Sequence, residues 1–122
     1  MVFDASAILA ILNNEPGADE AFRRLDESST LSVVNAGELL GKMVSRGADP
    51  ATAVASLKNI CAQWAPPSEE QARRVGELGV VKDLSLADRF CIALGEDLGE
   101  PIVTADRDWR RVPIRVPVEF IR

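Results

Sequence analysis

The chain has 122 residues and a mass of 13.2 kDa, which is the size of one domain. Its 47% apolar and 27% charged residues are the balance of a folded globular protein, which excludes a disordered chain and a membrane span. The net charge of −5 disfavours nucleic-acid binding through bulk positive charge, and the absence of histidine excludes catalysis and zinc binding by histidine.

Periodicity in the sequence predicts six helices and four short strands. The first half contains, in order, a strand at 2–3, helices at 6–12 and 16–27, a strand at 31–34, a helix capped by Asn35 that ends at Gly47, and a helix from Asp49-Pro50 to Trp64. The second half contains helices capped by Ser68 and Ser85 and strands at 102–104 and 114–121. Strands separated by helices predict a single α/β domain, in which a parallel β-sheet has helices on both faces.

Four carboxylates that are far apart in the sequence are predicted at one edge of this sheet. Asp4 and Asp106 each follow the carboxyl end of a strand, and Glu38 and Asp88 each lie in the first turn of a helix, three residues after the predicted cap. In open parallel sheets, the binding crevice lies at the carboxyl ends of the strands. The four positions therefore predict an acidic active site.

Each of these carboxylates alone also fits an ordinary structural role. Asp4, Glu38 and Asp88 are placed where helix caps and capping boxes use an acid, and Asp106 fits a turn. Together, however, four carboxylates in one crevice repel one another unless a cation binds. Oxygen ligands without histidine or thiolate favour Mg²⁺ or Mn²⁺. Such an ion suits phosphodiester hydrolysis, because it lowers the pKa of bound water and neutralises developing phosphate charge.

Four sequence blocks resemble the blocks of a known family, the PIN domains. They are residues 2–6 (VFDAS), 35–38 (NAGE), 84–94 (LSLADRFCIAL) and 101–109 (PIVTADRDW). Their order and spacing resemble above all the VapC-type toxins of bacterial toxin–antitoxin pairs, with residues 1–122 as one PIN domain. The resemblance implies a PIN-like parallel sheet and a Mg²⁺- or Mn²⁺-dependent endoribonuclease.

The resemblance also implies roles for individual residues. Asp4 and Asp88 correspond to the principal metal ligands, Asp106 to a residue that completes the metal shell, and Glu38 to the residue that orients or deprotonates the attacking water. Ser6 and Thr104 match small hydroxyl positions beside the metal and are candidates for substrate binding.

Arginines close to Asp106 are candidates for binding the RNA backbone. Arg107 and Arg110 are the main ones, with Arg111 and Arg115 nearby, because a guanidinium group binds phosphate with two parallel hydrogen bonds. Solvated side chains without this role fit the sequence equally well. Because few aromatic residues are present to stack bases, tRNA or another structured RNA is the expected target.

The resemblance also implies a cognate VapB-type antitoxin and a homodimer. No membrane association is expected, and a cytoplasmic location is expected because the N-terminus lacks the basic start of a signal peptide. The two cysteines, Cys61 and Cys91, are predicted to be small buried apolar residues. A receiver module and an aspartate phosphatase are disfavoured because their paired acids are absent. A PIN-fold binding protein with dispensable catalysis and a housekeeping PIN nuclease remain as alternatives.

Overall fold

The computed structural model describes every residue from Met1 to Arg122. A five-stranded sheet lies at its centre, with the strand order β3-β2-β1-β4-β5 and parallel pairing throughout. The strands are β1 (Val2–Phe3), β2 (Thr30–Ser32), β3 (Gln63–Ala65), β4 (Ile102–Thr104) and β5 (Val118–Phe120). The strand order reverses direction between β1 and β4, which is the point where such sheets form a binding crevice.

Helices cover both faces of the sheet, as predicted. They are α1 (Ala5–Asn13), α2 (Ala18–Arg24), α3 (Val33–Ser45), α4 (Pro50–Ile60), α5 (Glu69–Glu77) and α6 (Leu86–Leu98), with 3₁₀ turns at Leu78–Val80 and Arg107–Arg111. Because side chains alternate across a strand, Phe3 and Val103 enter one core with residues of α1 to α4, whereas Val2 and Ile102 enter a second core with α6 and Trp109. The predicted α/β fold is confirmed.

Several local predictions also agree with the structure. Asp49 caps α4 with Pro50 at the first helical position, and Ser85 caps α6 in a reciprocal capping box with Asp88. Gly99 ends α6 with a φ of 65°, a left-handed conformation that glycine adopts without steric cost. Both cysteines are buried and unpaired. No helix has both the length and the apolar composition that crossing a bilayer would need.

The predicted start of α3 is wrong by three residues. Residues 33 and 34 are helical rather than extended, because the Ser32 hydroxyl accepts a hydrogen bond from the Val34 amide at 3.2 Å and caps the helix. Asn35 is therefore not the cap but lies in the first turn, fully buried. Glu38 consequently lies in the second turn rather than the first.

The helix predicted from Pro50 to Trp64 is also wrong at its end. The helix stops at Ile60, Cys61 is extended (φ −139°, ψ 103°), and residues 63–65 form β3 beside β2. The Trp64 indole donates to the Cys61 carbonyl at 2.9 Å, which satisfies one of the free carbonyl groups at the helix end. The strand β3 was thus not predicted.

Two further elements are shorter than predicted. The last strand covers 118–120 instead of 114–121, because Pro113 and Pro117 have no amide hydrogen to donate to a strand ladder. The helix predicted over 16–27 covers Ala18–Arg24, since Leu25 is extended with a φ of −71° and a ψ of 135°. Neither difference changes the order of the elements.

Gly95 sets the distance between α6 and the sheet. It is buried in the middle of the helix, and a Cβ atom at this position would overlap the Ile102 side chain of β4. Only glycine therefore allows α6 to pack this closely against β4. The two elements that carry Asp88 and lead to Asp106 are held together at this contact.

Candidate active site

The four predicted carboxylates lie at the carboxyl edge of the sheet, on four different elements. Asp4 follows β1 at the start of α1, and Asp106 follows β4 at the start of the 3₁₀ turn. Asp88 lies in the first turn of α6, and Glu38 lies in the second turn of α3. The parallel sheet thus brings together residues that are separated by up to 102 positions in the chain.

Asp4 is the buried centre of this group, with 2% of its surface exposed. Its Oδ2 accepts hydrogen bonds from the Ser6 hydroxyl at 2.5 Å and from the Thr104 hydroxyl at 2.9 Å. Its Oδ1 faces the Asn35 amide nitrogen at 3.5 Å. The side chain caps no backbone amide of α1, so that the ordinary capping role considered for Asp4 is absent.

The Ser6 and Thr104 hydroxyl groups also join the ends of β1 and β4. The Ser6 hydroxyl accepts from the Ala105 amide at 2.9 Å, and the Thr104 hydroxyl accepts from the Asp106 amide at 3.1 Å. Both hydroxyl groups are therefore engaged by protein groups on both sides. In this arrangement they orient Asp4 and the backbone that carries Asp106.

The electrostatic environment of Asp4 opposes its ionisation. Burial is the largest cause that raises the pKa of Asp4, and the charges of Asp88 and Glu38 raise it further. The hydrogen bonds from Ser6 and Thr104 act in the opposite direction, and the resulting pKa is about 6. The ionised form of Asp4 is thus less favourable than that of an exposed aspartate.

Asp88 has a similar environment. Burial again raises its pKa most, hydrogen bonds from the backbone and side chain of Ser85 lower it, and the charges of Glu38 and Asp106 raise it. The net pKa of Asp88 is above its usual value. The charges of Asp88 and Glu38 act on Asp4, and those of Glu38 and Asp106 act on Asp88. The four carboxylates therefore belong to one electrostatic cluster.

Three of the four carboxylates also have local partners. Asp88 accepts from the Ser85 amide at 3.1 Å, and Asp106 accepts from the Asp108 amide at 2.9 Å, so both cap a helical turn. Glu38 is half-buried and forms an ion pair with Lys42 at 3.4 Å, one turn along α3. Capping and membership of the cluster therefore coexist in the same side chains.

The donor set fits a hard divalent cation. Carboxylate and hydroxyl oxygens surround Asp4, and mutual repulsion among the acids is the property that a bound cation would relieve. As the side chains are arranged, no three acidic or thiol groups converge closely enough to hold an ion. Ion binding would therefore require the acidic side chains to move closer together.

The four arginines expected to bind RNA do not form one group. Arg107 is exposed and its Nε donates to the Arg122 carbonyl at 2.8 Å, while the exposed Arg110 guanidinium lies 5.0 Å from the centre of the Phe120 ring. Arg111 donates to the Lys82 carbonyl at 2.8 Å, and Arg115 lies beside Glu96 on another part of the surface. Of these four arginines, Arg107 shares a surface cavity with Asp106.

Two residues of the site were not predicted from the sequence. Asn35 had been interpreted as a helix cap, yet its amide faces Asp4; the available signal was its position three residues before Glu38, on the same helix face. Cys91 lies behind the acids. Burial raises its pKa well above the usual thiol value, and the charges of Asp4, Asp88 and Glu38 add to this.

Comparison with known structures shows the same fold in several proteins. A chain of a toxin–antitoxin complex from Klebsiella pneumoniae has a TM-score of 0.78 at 15% identity, with 99% of this chain and 97% of that chain covered. The sarcin–ricin-loop-cleaving toxin VapC20 of Mycobacterium tuberculosis has a TM-score of 0.73 at 18% identity, with 93% and 96% covered. A chain of VapBC-5 from the same organism has a TM-score of 0.66 at 24% identity, with 99% and 96% covered.

Sequence comparison gives the family directly. No curated protein sequence matches the chain. The family profile described as "PIN domain" matches residues 1–115, which is nearly the whole chain. Together with the parallel sheet and the acidic crevice at its switch point, this match shows that the chain belongs to the PIN domain family.

Proposed function

We propose that this chain is a Mg²⁺- or Mn²⁺-dependent endoribonuclease and the toxin of a VapBC-type toxin–antitoxin pair. The observation that carries the proposal is the electrostatic cluster, in which burial and neighbouring carboxylates raise the pKa of both Asp4 and Asp88. Such mutual repulsion is costly for a fold and is characteristic of functional sites. Membership of the PIN family and the fold shared with VapC20 support the nuclease class.

Asp4 and Asp88 are the residues that would hold the cation. When bound, the ion would lower the pKa of the attacking water and offset the charge that develops on the phosphate. The Ser6 and Thr104 hydroxyl groups hold the Oδ2 atom of Asp4 in the absence of the ion. Asp106, fixed by the turn that it caps, faces Asp88 and completes the acidic shell.

Glu38 is the candidate general base. It is only half-buried and its partner Lys42 is an exposed side chain, so the carboxylate can turn toward a water molecule. The chain has no histidine that could take this proton instead. Glu38 would therefore orient the attacking water and accept its proton.

The proposed substrate is a structured RNA such as tRNA. Arg107 is exposed in the surface cavity that contains Asp106, and the exposed Arg110 guanidinium lies against Phe120. These groups would bind backbone phosphates and compensate locally for the net negative charge of the chain. Recognition through phosphates and shape also agrees with the scarcity of aromatic residues.

The proposed partner is a VapB-type antitoxin, and the proposed state of the free toxin is a cytoplasmic homodimer. The support comes from the shared fold, since two of the similar structures belong to toxin–antitoxin systems. A surface cavity lined by Leu9, Leu12 and Met43 has Lys42 and Arg46 at its rim. An apolar floor with a cationic rim fits an amphipathic segment that carries acidic residues.

A cleavage assay with an induction experiment tests this proposal. The purified chain should cleave a total tRNA pool in Mg²⁺ or Mn²⁺, and Asp4→Asn should not. Induction of the wild type in a bacterial host without antitoxin should arrest growth, whereas the variant should be tolerated. Metal-dependent cleavage without growth arrest would instead support a housekeeping nuclease, and RNA binding without cleavage would support a binding protein.

A further inference from the structure

Asn35 contributes a fully buried carboxamide group to the acidic cluster. It is 0% exposed in the first turn of α3, and its Nδ2 lies 3.5 Å from Asp4 Oδ1. No other side chain donates to this oxygen, because Ser6 and Thr104 both donate to Oδ2. The side-chain oxygen Oδ1 of Asn35 has no hydrogen-bond partner.

The stability of the fold does not account for this side chain. A buried carbonyl group without a donor destabilises a protein, and an apolar side chain of similar size would avoid that cost. Turning the amide over would place its oxygen against the Asp4 carboxylate, which is worse. The carboxamide is therefore explained by its contact with Asp4 rather than by its own environment.

We propose that Asn35 is a positioning residue of the cation site, which holds Asp4 Oδ1 while Ser6 and Thr104 hold Oδ2. This inference rests on the proposed cation-dependent function. With donors at both oxygens, Asp4 stays charged and in one rotamer despite the neighbouring Asp88 and Glu38. Loss of the amide frees Oδ1 to rotate, so the carboxylate must be ordered again when the cation binds.

Mn²⁺ binding without RNA tests this role separately from catalysis. The variant is Asn35→Leu, which keeps the branching of the side chain and removes the donor, with Asn35→Ala as a second variant that places no methyl group beside the carboxylate. Electron paramagnetic resonance titration should show a Mn²⁺ dissociation constant raised about tenfold in both variants. The thermal unfolding temperature of metal-free Asn35→Leu should not fall, because the unpaired carbonyl group is removed.

Gln71→Leu is the matched control. Its carboxamide is also buried, at 4% exposure, but it donates to Asp97 at 3.3 Å between α5 and α6. This variant should unfold at a lower temperature and bind Mn²⁺ as the wild type does. The pair of variants thus separates loss of a structural hydrogen bond from loss of a positioning contact.

Each outcome of the titration decides one question. Asn35 variants that bind Mn²⁺ as tightly as the wild type would overturn the positioning role and leave the proposed nuclease function intact. A wild-type chain that neither binds Mn²⁺ nor cleaves RNA would overturn the proposed function, and this inference with it. Weaker Mn²⁺ binding with unchanged metal-free stability supports the inference.

Discussion

Asp88 has two roles that act on stability in opposite directions. Its carboxylate accepts the Ser85 amide in the capping box, which stabilises α6 by about 1 kcal/mol. Burial and the charges of Glu38 and Asp106 act against the ionised form. The pKa of Asp88 is raised, so burial and the neighbouring charges together outweigh the hydrogen bonds from Ser85. The side chain is therefore placed for something other than the stability of its helix.

Replacement of Asp88 by asparagine should separate the two roles. The amide oxygen can still accept the Ser85 amide, while the charge that the cluster repels is gone, so metal-free Asp88→Asn should unfold at or above the wild-type temperature. The wild type should gain about 2.7 kcal/mol at a Mg²⁺ concentration one hundred times the dissociation constant, and the variant should not. RNA cleavage should fall by roughly 10²–10³-fold. Thermal unfolding with and without Mg²⁺ and one cleavage assay measure these effects.

Asp49→Asn provides the control for this prediction. Asp49 caps α4 by accepting the Thr52 amide at 3.1 Å, and it lies outside the acidic cluster. Asparagine caps a helix about as well as aspartate, so stability and cleavage should both remain near wild type. A destabilised Asp88→Asn that still cleaves RNA would show that Asp88 is only a helix cap.

Among the elements, α5 and α6 are joined by a well-shielded ion pair. Arg74 on α5 donates to Glu96 on α6 at 2.6 and 3.0 Å, and the two side chains are 11% and 8% exposed. Arg74 also donates to the Pro113 carbonyl, and Glu96 accepts the Arg115 amide. Every charged group of the pair thus has several partners, and the pair joins both helices to the segment before β5.

This ion pair predicts a pH-dependent contribution to stability. Burial alone would raise the pKa of Glu96, but the hydrogen bonds from Arg74 and Arg115 and their charges outweigh it, so the pKa is lowered. A lowered carboxyl pKa stabilises the fold above the unfolded pKa, and this contribution is lost as pH falls through the folded value. Glu96→Gln should therefore lower the free energy of unfolding by about 2 kcal/mol at pH 7, and by progressively less as the pH falls below the unfolded pKa of about 4.3.

Denaturant unfolding of both proteins between pH 3 and pH 7 measures this difference. Glu70→Gln is the control, because Glu70 pairs with Arg73 on the exposed side of α5, where a salt bridge contributes little. A Glu96→Gln effect that stays constant over the whole pH range would contradict the assignment to the charged pair.

At the scale of the whole molecule, the sequence predicted what local patterns determine. The short apolar run at Val2-Phe3, the Ser85 cap and the Gly99 helix end all depend on neighbouring residues only. β3 was missed because Trp64 continues the apolar periodicity of α4, and only its pairing with β2 makes this segment a strand. Asn35 was assigned to the wrong role because its contact with Asp4 spans 31 positions of the chain.

The acidic cluster was predictable for a different reason. In a parallel sheet all carboxyl ends meet at one edge, so knowledge of the strand order is not needed to bring Asp4 and Asp106 to the same side. The electrostatic coupling of Asp4 with Asp88 and Glu38 could not be predicted from the sequence, because it depends on burial and on the packing of α3 and α6 near Asp4.

The absence of histidine from the whole chain predicts the chemistry of the products. No histidine is available to activate the ribose 2′-hydroxyl, so the water that Glu38 would deprotonate should be the nucleophile. Cleavage should leave 5′-phosphate and 3′-hydroxyl ends, which end-specific ligation and mass spectrometry detect. EDTA should abolish cleavage and added Mn²⁺ should restore it. Products with 2′,3′-cyclic phosphate, or full activity in EDTA, would contradict this mechanism.

The close packing at Gly95 also has a genetic consequence. If the chain is the proposed toxin, bacteria that express it without the antitoxin survive only when the toxin has lost its activity. The substitution found in a surviving colony therefore identifies a position that activity requires. Gly95 lies two helical turns from Asp88, yet any side chain there would push α6 away from β4 and move the acid that α6 carries. Survivors should therefore include substitutions at Gly95, folded but harmless, alongside those that remove the carboxylates themselves.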